Sequence, residues 1–456
     1  MTIQRTQTGD VEVKVTVYRD GKKLQNSDGN SDIGDYISGI EIYESITSAT
    51  MEAKIILADS GGFLGLMTGS ELFRIQLVGS IMDKTFYMRA YEIESRSRFN
   101  NSDTYIINCA SNEFFKNEVT NVFGNSQQIF SGDLEASSII KKILLDKRYL
   151  QTKKKLFLEE TINKQQFIAP NWRAFDCIYW LAQRSVRKAK KGGTLQNGFV
   201  FYENSLGYHF KSIDKLIDDV NKQKEDKTNL NTGEAKLYTY VYATQNSDEG
   251  DADQFKISTL VFPNEKNFLN GLRHGAWSGF SIGFDPVTVS NSKMGLSTDL
   301  SIDAYRYKLK DLWGKMSHLG SKTAKNPLTQ MDQSVQAMVD YPKRVRYTAL
   351  PNQNFDEKFN AEQQSKQYEE LVELQAYQWM RIESFKNFKL QIKIPGNLDL
   401  YAGAGIKVVI PGTYKKNSKM NIDKKYSGRY VIASVSHQVV GSELTTELLL
   451  LKDSTV

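Results

Sequence analysis

The sequence predicts a mainly β (α+β) protein, and three observations carry that prediction. First, the stretch from Phe388 to Asp453 alternates apolar with polar residues, at Phe388, Leu390, Ile392, Ile394 and again at Ile406, Val408, Ile410. That is the period of half-buried strands. Pro395 and Pro411 fall at strand ends, where a missing N–H does least harm, and glycines 396, 403, 405, 412 and 428 punctuate turns. The stretch reads as an antiparallel sheet of about four strands, a barrel or a sandwich. Second, the N-terminal region shows the same order of strand, Gly, strand, Gly, loop and hairpin. Third, 23 Tyr and 23 Phe suit β structure.

Taken in order, Val11–Val17 alternates and starts the first sheet, and 26–32 is a turn-rich loop. Ile37–Ile46 is the next strand, with Ser38-Gly39 as a bulge or tight approach. Met51–Asp59 and Glu71–Gly79 follow, then a hairpin of Phe86–Ser95 with Thr104–Cys109. Residue identity between the two ends is slight, so a structural duplication and two unrelated meanders both remain open. After Asn112 a helical stripe appears at positions 139, 140, 143 and 144, with Ser137 or Asp133 as caps. Pro170-Asn171-Trp172 introduces a second helix carrying Phe175, Ile178, Leu181 and Ala182, with Asn171 as its N-cap. The basic run Arg184–Lys191 reads as that helix's solvated end, stopped by Gly192-Gly193. Phe199–Tyr202 and Tyr208–Phe210 form a hairpin. Segments 221–236 and 245–253 read as loops, Phe255–Phe262 as a short strand, and Phe268 and Leu272 as part of a helix ending near Gly275. Ser278–Val289 and Ile302–Leu309 read as strands that start the second sheet. Ser317–Asn360 reads as an exposed excursion, and Glu362–Ser384 as a helix with Leu371, Leu374, Tyr377 and Ile382 among its contacts. Thr413–Tyr426 is a Lys-rich surface loop.

The 456 residues suffice for roughly three domains. The formal charge of +6 is spread along the chain, which does not mark a nucleic-acid face. Cys109 and Cys177 lie in apolar patterns, as buried thiols of a chain made in a reducing compartment do. No apolar leader follows Met1, and no run approaches the roughly 18 apolar residues of a membrane span. The expectation is synthesis in the cytoplasm and no stable membrane insertion. His209, His274, His318 and His437 stand far apart and no CxxC occurs, so a zinc site is not expected. Nucleotide-binding and nucleophile-elbow motifs are missing as well. A glycosidase pair of carboxylates stays open, because its members need not be near in sequence. The expectation is that the chain has no catalytic, cofactor-binding or metal site and needs no cofactor.

The order of these stretches resembles a family. Gly396-Asn-Leu-Asp-Leu-Tyr-Ala-Gly403, Ser427-Gly-Arg-Tyr-Val-Ile432, His437 and a closing strand ending Leu451-Lys-Asp453 resemble the last β domain of baseplate central hub proteins. These belong to contractile-tailed, T4-like phages and are related to the N-terminal hub region of type VI secretion spike proteins. Phe167–Asp176, Trp180–Ala182, Gly198–Asn204, Gly207–Phe210, Ser38–Ser45 and Leu57–Gly62 add to the likeness, which covers most of the chain except roughly 311–365. The resemblance implies two tube-type antiparallel β-barrel domains, at 1–111 and at 277–310 with 384–456. It implies an inserted α/β domain at 112–276 and an exposed excursion plus helix at 311–383. It implies a homotrimer whose pseudo-six-fold ring joins the six-fold tail tube to a three-fold central spike, within the virion's tail baseplate. Implied partners are the tail tube protein or a tube-initiator ring and the spike, with baseplate wedge and tape measure proteins beyond them. Unlike the type VI spike proteins the sequence ends after the second β domain, so piercing and wall-degrading activity are expected on a separate chain. Two rival readings are a cell-wall-degrading enzyme of the tail tip, which needs an acidic pair in a cleft, and a carbohydrate- or receptor-binding tail module, which needs an exposed aromatic platform.

Overall fold

A computed structural model describes residues 9–25, 29–79, 82–131, 135–162, 164–188, 195–225, 236–242, 254–263, 268–284, 305–339, 345–349, 364–386, 388–416 and 419–455. One large sheet organises them. Apart from a two-residue strand, Lys22–Lys23, that folds back on the end of β1, its N-terminal six strands are β1 (Val11–Arg19), β2 (Ile37–Ser45), β3 (Glu52–Asp59), β4 (Leu72–Gly79), β5 (Asp83–Phe99) and β6 (Ser102–Ala110). Six more are β7 (Tyr238–Val241), β8 (Thr259–Val261), β9 (Phe388–Pro395), β10 (Gly405–Val409), β11 (Gly428–Val440) and β12 (Glu443–Lys452).

Side-chain alternation sets these strands. Ala53, Ile55 and Leu57 of β3 point inward and Glu52, Lys54 and Ile56 outward; β9 buries Phe388, Leu390, Ile392 and Ile394 in the same way. In space the first six run β2-β3-β6-β5-β4-β1, and the second six β8-β9-β12-β11-β10-β7. The two orders are the same. Every neighbouring pair is antiparallel except β7 with β10. Register agrees too. Ile55 faces Ile107 and Ile107 faces Ile93, as Ile392 faces Leu448 and Leu448 faces Val435. One extra residue bulges from the long strand at the same step of each unit, Tyr91 in β5 and Ala433 in β11. Chance meanders do not share a six-strand order and a bulge position, so the two ends repeat one structural plan.

Each unit wraps its own core. The first and last strands in sheet order, β2 and β1, share one apolar cluster; β8 and β7 share another. A lone bridge spans each seam, Thr16–Asp32 in the first unit and Val241–Lys256 in the second.

Several expectations need correction. The strand Ser278–Phe284 lies between Tyr305–Lys308 and Val345–Ala349 and pairs with both, and none of the three joins the sheet of 384–456. The strands that do join it are β7 and β8, from within the region assigned to the α/β insertion. Periodicity reveals a strand but not its partner, which is why 277–310 was misplaced. The excursion is not simply exposed: Leu309, Leu312, Met316, Leu328 and Val339 are buried with Trp277, Tyr307, Tyr377 and Met380 in a small core. Its polar composition hid these well-spaced apolar anchors. The Lys-rich segment is a β-hairpin of Pro411–Lys416 and Lys419–Ile422 rather than a loop; Lys424 is exposed. Residues 285–304 and Gly192-Gly193 lie outside the described residues.

Between the units lie helices α1 (Asn112–Val119), α2 (Ala136–Leu145), α3 (Ala174–Arg184) and α4 (Ile213–Lys222), with α5 (Gln364–Phe385) leading into β9. The stripe of Ile139, Ile140, Ile143 and Leu144 is fully buried, as is the face of Ile178 and Leu181. The caps differ from expectation. Neither Glu135 nor Arg173, the N-cap residues of α2 and α3, accepts a capping bond through its side chain. Asn171 instead sits at φ +64 in an irregular strand, Ile168–Arg173, and Asn117 of α1 accepts the Phe175 N–H at 2.7 Å. A cap supplied from another helix leaves no local signature. Helix α3 stops at Arg184, and Arg187 is buried against Glu159 at 3.1 Å rather than solvated. The hairpin of Phe199–Asn204 and Gly207–Ser212 takes a third strand, Lys155–Leu158, in parallel. Gly207, at φ +141, is required there, because a Cβ would stand 2.2 Å from the Lys155 carbonyl oxygen.

Candidate assembly surface

The two units meet where β11 of the second pairs antiparallel with β2 of the first, from Ser434 opposite Ser45 to Val440 opposite Gly39. β11 serves both units along one edge: Gly428–Val431 bond to β10, and Ser434–Val440 to β2. The end of the β11–β12 hairpin also grips the start of β1, through Val11 N–H to Ser442 O and Leu444 N–H to Gly9 O. Val439, Leu444 and Leu398 of the second unit are buried within the core of the first. This junction is continuous in both backbone and side chains.

A polar cluster lies against it. The Lys84 ammonium donates to Leu398 O at 2.8 Å, and the Glu44 and Asp399 carboxylates act on its charge. Burial lowers the Lys84 pKa, and those two carboxylates oppose the shift. Burial raises the Glu44 carboxyl, which the Lys84 charge and the Ala402 N–H at 3.1 Å only partly offset. His437 is fully buried with Nδ1 on Thr446 Oγ1 at 3.0 Å; burial, helped by the Lys84 charge, pushes it down to about 3, so the ring is neutral. Among the described residues no hydrogen-bond partner meets Glu44 Oε1 or His437 Nε2.

A second buried network ties the units to the insertion. The Arg381 guanidinium, fully buried, meets Asp453 at 3.1 Å and Asp214 at 3.4 Å. Tyr377 Oη donates to Asp214 at 2.8 Å, and His318 Nδ1 lies 2.8 Å from Asp453. Helices α4 and α5, the excursion and the end of β12 are thereby fixed to one another.

The enzymatic reading was tested on the same footing. Glu113 and Glu203 are a buried carboxylate pair joined by the Lys154 ammonium, 2.7 Å from Glu113 and also bonded to Glu203. For both, burial is the largest influence and pushes the carboxyl up; at Glu113 Lys154 and Thr152 outweigh it and the pKa falls, while at Glu203 it prevails. Divergent carboxyls are what acid–base catalysis uses. Glu203, however, also accepts the Met51 N–H, and neither residue opens on the cleft of about 850 Å³ between α3, the 199–201 strand and α5. Tyr179, Phe199, Arg184, Gln378 and Trp379 line that cleft, and no carboxylate does among the described residues. No group of three potential metal ligands occurs, and no helix is long and apolar enough to cross a membrane, among the described residues.

Sequence reasoning found none of these charged clusters. Glu203 after Phe199-Val-Phe-Tyr202 and Asp399 between Leu398 and Leu400 stand as lone charges in apolar runs, which is the available signal for them; Lys154, within Lys153-Lys154-Lys155, and Asp214, beside Lys215, carry none.

No protein-family model and no curated protein matches the sequence. Among solved structures the chain is similar to a tail protein from Neisseria meningitidis MC58, with 11% identity over 97% of each chain and a TM-score of 0.52. It is also similar to the 43 kDa tail protein of prophage MuSo2 from Shewanella oneidensis, with 8% identity over 96% of this chain and 98% of that one and a TM-score of 0.49. The fold, rather than the sequence, is shared: this chain has the fold of a phage tail protein.

Proposed function

We propose that the chain is a structural baseplate hub of a phage tail. Three copies form a ring of six similar β-barrels that joins the six-fold tail tube to a three-fold central spike. The observation that carries this reading is the repeated six-strand order with its shared bulge. A closed trimer offers three copies of any surface, and two like units per chain offer six, which is what a three-fold to six-fold adaptor needs. The seam bridges favour closure of each unit into a barrel, because closure removes edges that otherwise invite uncontrolled pairing. Tube protein or initiator ring on one face and spike on the other are the partners that this symmetry suits; wedge and tape measure proteins would lie beyond. The chain acts by assembly and not by turnover.

Mass photometry and electron cryomicroscopy of the purified protein test the proposal. The expected particle has three copies and six similar densities around an axis; a closed assembly of any other copy number overturns it. Incubation with peptidoglycan is expected to release no muropeptides above buffer. Release that Glu203→Gln abolishes would favour the enzyme instead.

A further inference from the structure

The repeated plan makes one half of the internal junction available twice. In the second unit the edge of β11 beyond β10 is covered by β2. In the first unit β5 runs past β4 in the same way, since β4 pairs with Asp83–Arg89 and the Ala90 N–H bonds Glu71 O, and among the described residues no strand pairs with the edge beyond Ala90. The counterpart of β2 in the second unit is β8, whose outer edge is likewise unpaired among the described residues. Phe99 at the end of β5 is 79% exposed, and Val261 at the end of β8 is 44% exposed.

We propose that β5 of one chain docks head-to-tail on β8 of a second copy, repeating between chains the junction that β11 and β2 make within one. This rests on the ring reading above and specifies its contact. Register follows from the equivalences. Ser97, Arg98 and Phe99 take the places of Gln438, Val439 and Val440, because they face Thr104, Asp103 and Ser102 as those face Thr445, Leu444 and Glu443. Val261, Leu260 and Thr259 take the places of Glu41, Ile40 and Gly39. Ser97 therefore lies opposite Val261, Arg98 opposite Leu260, and Phe99 opposite Thr259.

Two features end the pairing there. Just before Ser97, β5 has a second bulge, with Ser95 at φ +56 and two residues, Ser95 and Arg96, opposite Tyr105 alone. Two residues after Val261 comes Pro263, which has no N–H to give to a continuing ladder. The contact is thus a short strand pair with Phe99 and Val261 covered beside it. It is heterologous: a chain's β5 cannot meet its partner's β5, so a two-fold dimer is not an outcome.

Directly opposed residues of an antiparallel pair stand about 4.5–5.5 Å apart at Cα, within disulfide reach. Purified Ser97→Cys and Val261→Cys chains, carrying tags of different mass, are mixed and oxidised mildly. The expected product is a disulfide-linked pair containing one of each, with no product from either alone, Cys109 and Cys177 being buried. The doubly substituted chain should give a covalent ladder that ends at the ring. Assembly by mass photometry without this cross-link, or a Ser97→Cys homodimer, overturns the proposed contact and leaves the ring reading standing. A chain that stays monomeric at every concentration overturns both.

Discussion

The hairpins β5–β6 and β11–β12 hold equivalent places in their sheets, yet their ends have opposite chemistry. One step before the turn, the second unit has Val439 opposite Leu444, both buried in the neighbouring unit's core. The first unit has Arg98 opposite Asp103, an ion pair at 2.8 Å with the guanidinium largely in water. Where the second unit has the buried His437, the first has Ser95 and Arg96 at an extra bulge. Charge and bulge are devices that keep a strand edge from pairing indiscriminately. A joint that never opens can be greasy and regular; one that must stay soluble before its partner arrives cannot. The same backbone plan carries a buried apolar joint at one end and an exposed, charged hairpin end at the other.

The largest effect expected from this contrast is on Leu444. Leu444→Ala should destabilise the fold by about 2–5 kcal/mol, as cavity-forming core substitutions do, and its counterpart Asp103→Ala by far less, since its ion pair is screened by water. Chemical denaturation of both checks the order, the Leu444 variant losing clearly more stability than the Asp103 variant, and equal costs would erase the distinction. Acid should act on the same joint. The His437 pKa is depressed in the folded state, so the stability it contributes is present above the ordinary histidine value and is lost as pH falls toward about 3. The slope is about 1.4 kcal/mol per pH unit, or roughly 2 kcal/mol at pH 5. His437→Gln should flatten the curve over that window. Lys84→Met removes the cation between Glu44 and Asp399. Glu44, already raised, can take up a proton in response, so the expected cost is about 1–2 kcal/mol rather than the 3–5 of a fully buried ion pair. Smallest is Arg98→Val, which should leave the melting temperature of the single chain nearly unchanged, as surface substitutions do. It should raise the self-associated fraction seen by sedimentation, since it makes the outer hairpin more like the inner one.

The strands were legible wherever one face is buried, because burial writes itself as alternation: β3 and β9 could be read residue by residue. The bulge at Ser38-Gly39 was legible from its glycine, and the register shift between Ile37 and Gly39 is found there. Membership of a sheet was not legible. Tyr238–Val241 and Thr259–Val261 join strands some 130 or more residues away, and no local pattern encodes such a partner. The assembly surface was hidden for the same reason, since Val439 and Arg98 can be compared only once the two hairpins are superposed. Asn117 capping α3 and Arg381 holding Asp214 and Asp453 are likewise products of tertiary closure.

That β11 covers the edge of β2 has a consequence for the timing of synthesis. Some 390 residues separate Ser45 from its partner Ser434. At the usual elongation rate of about 5–20 residues per second, roughly 20–80 s pass between the emergence of β2 from the ribosome and that of the strand that covers it. The first unit can collapse on its own core during that interval, but one of its edges stays bare. Nascent chains on one message present that edge to one another in sequence, and the premature strand exchange this invites is most dangerous on a crowded polysome.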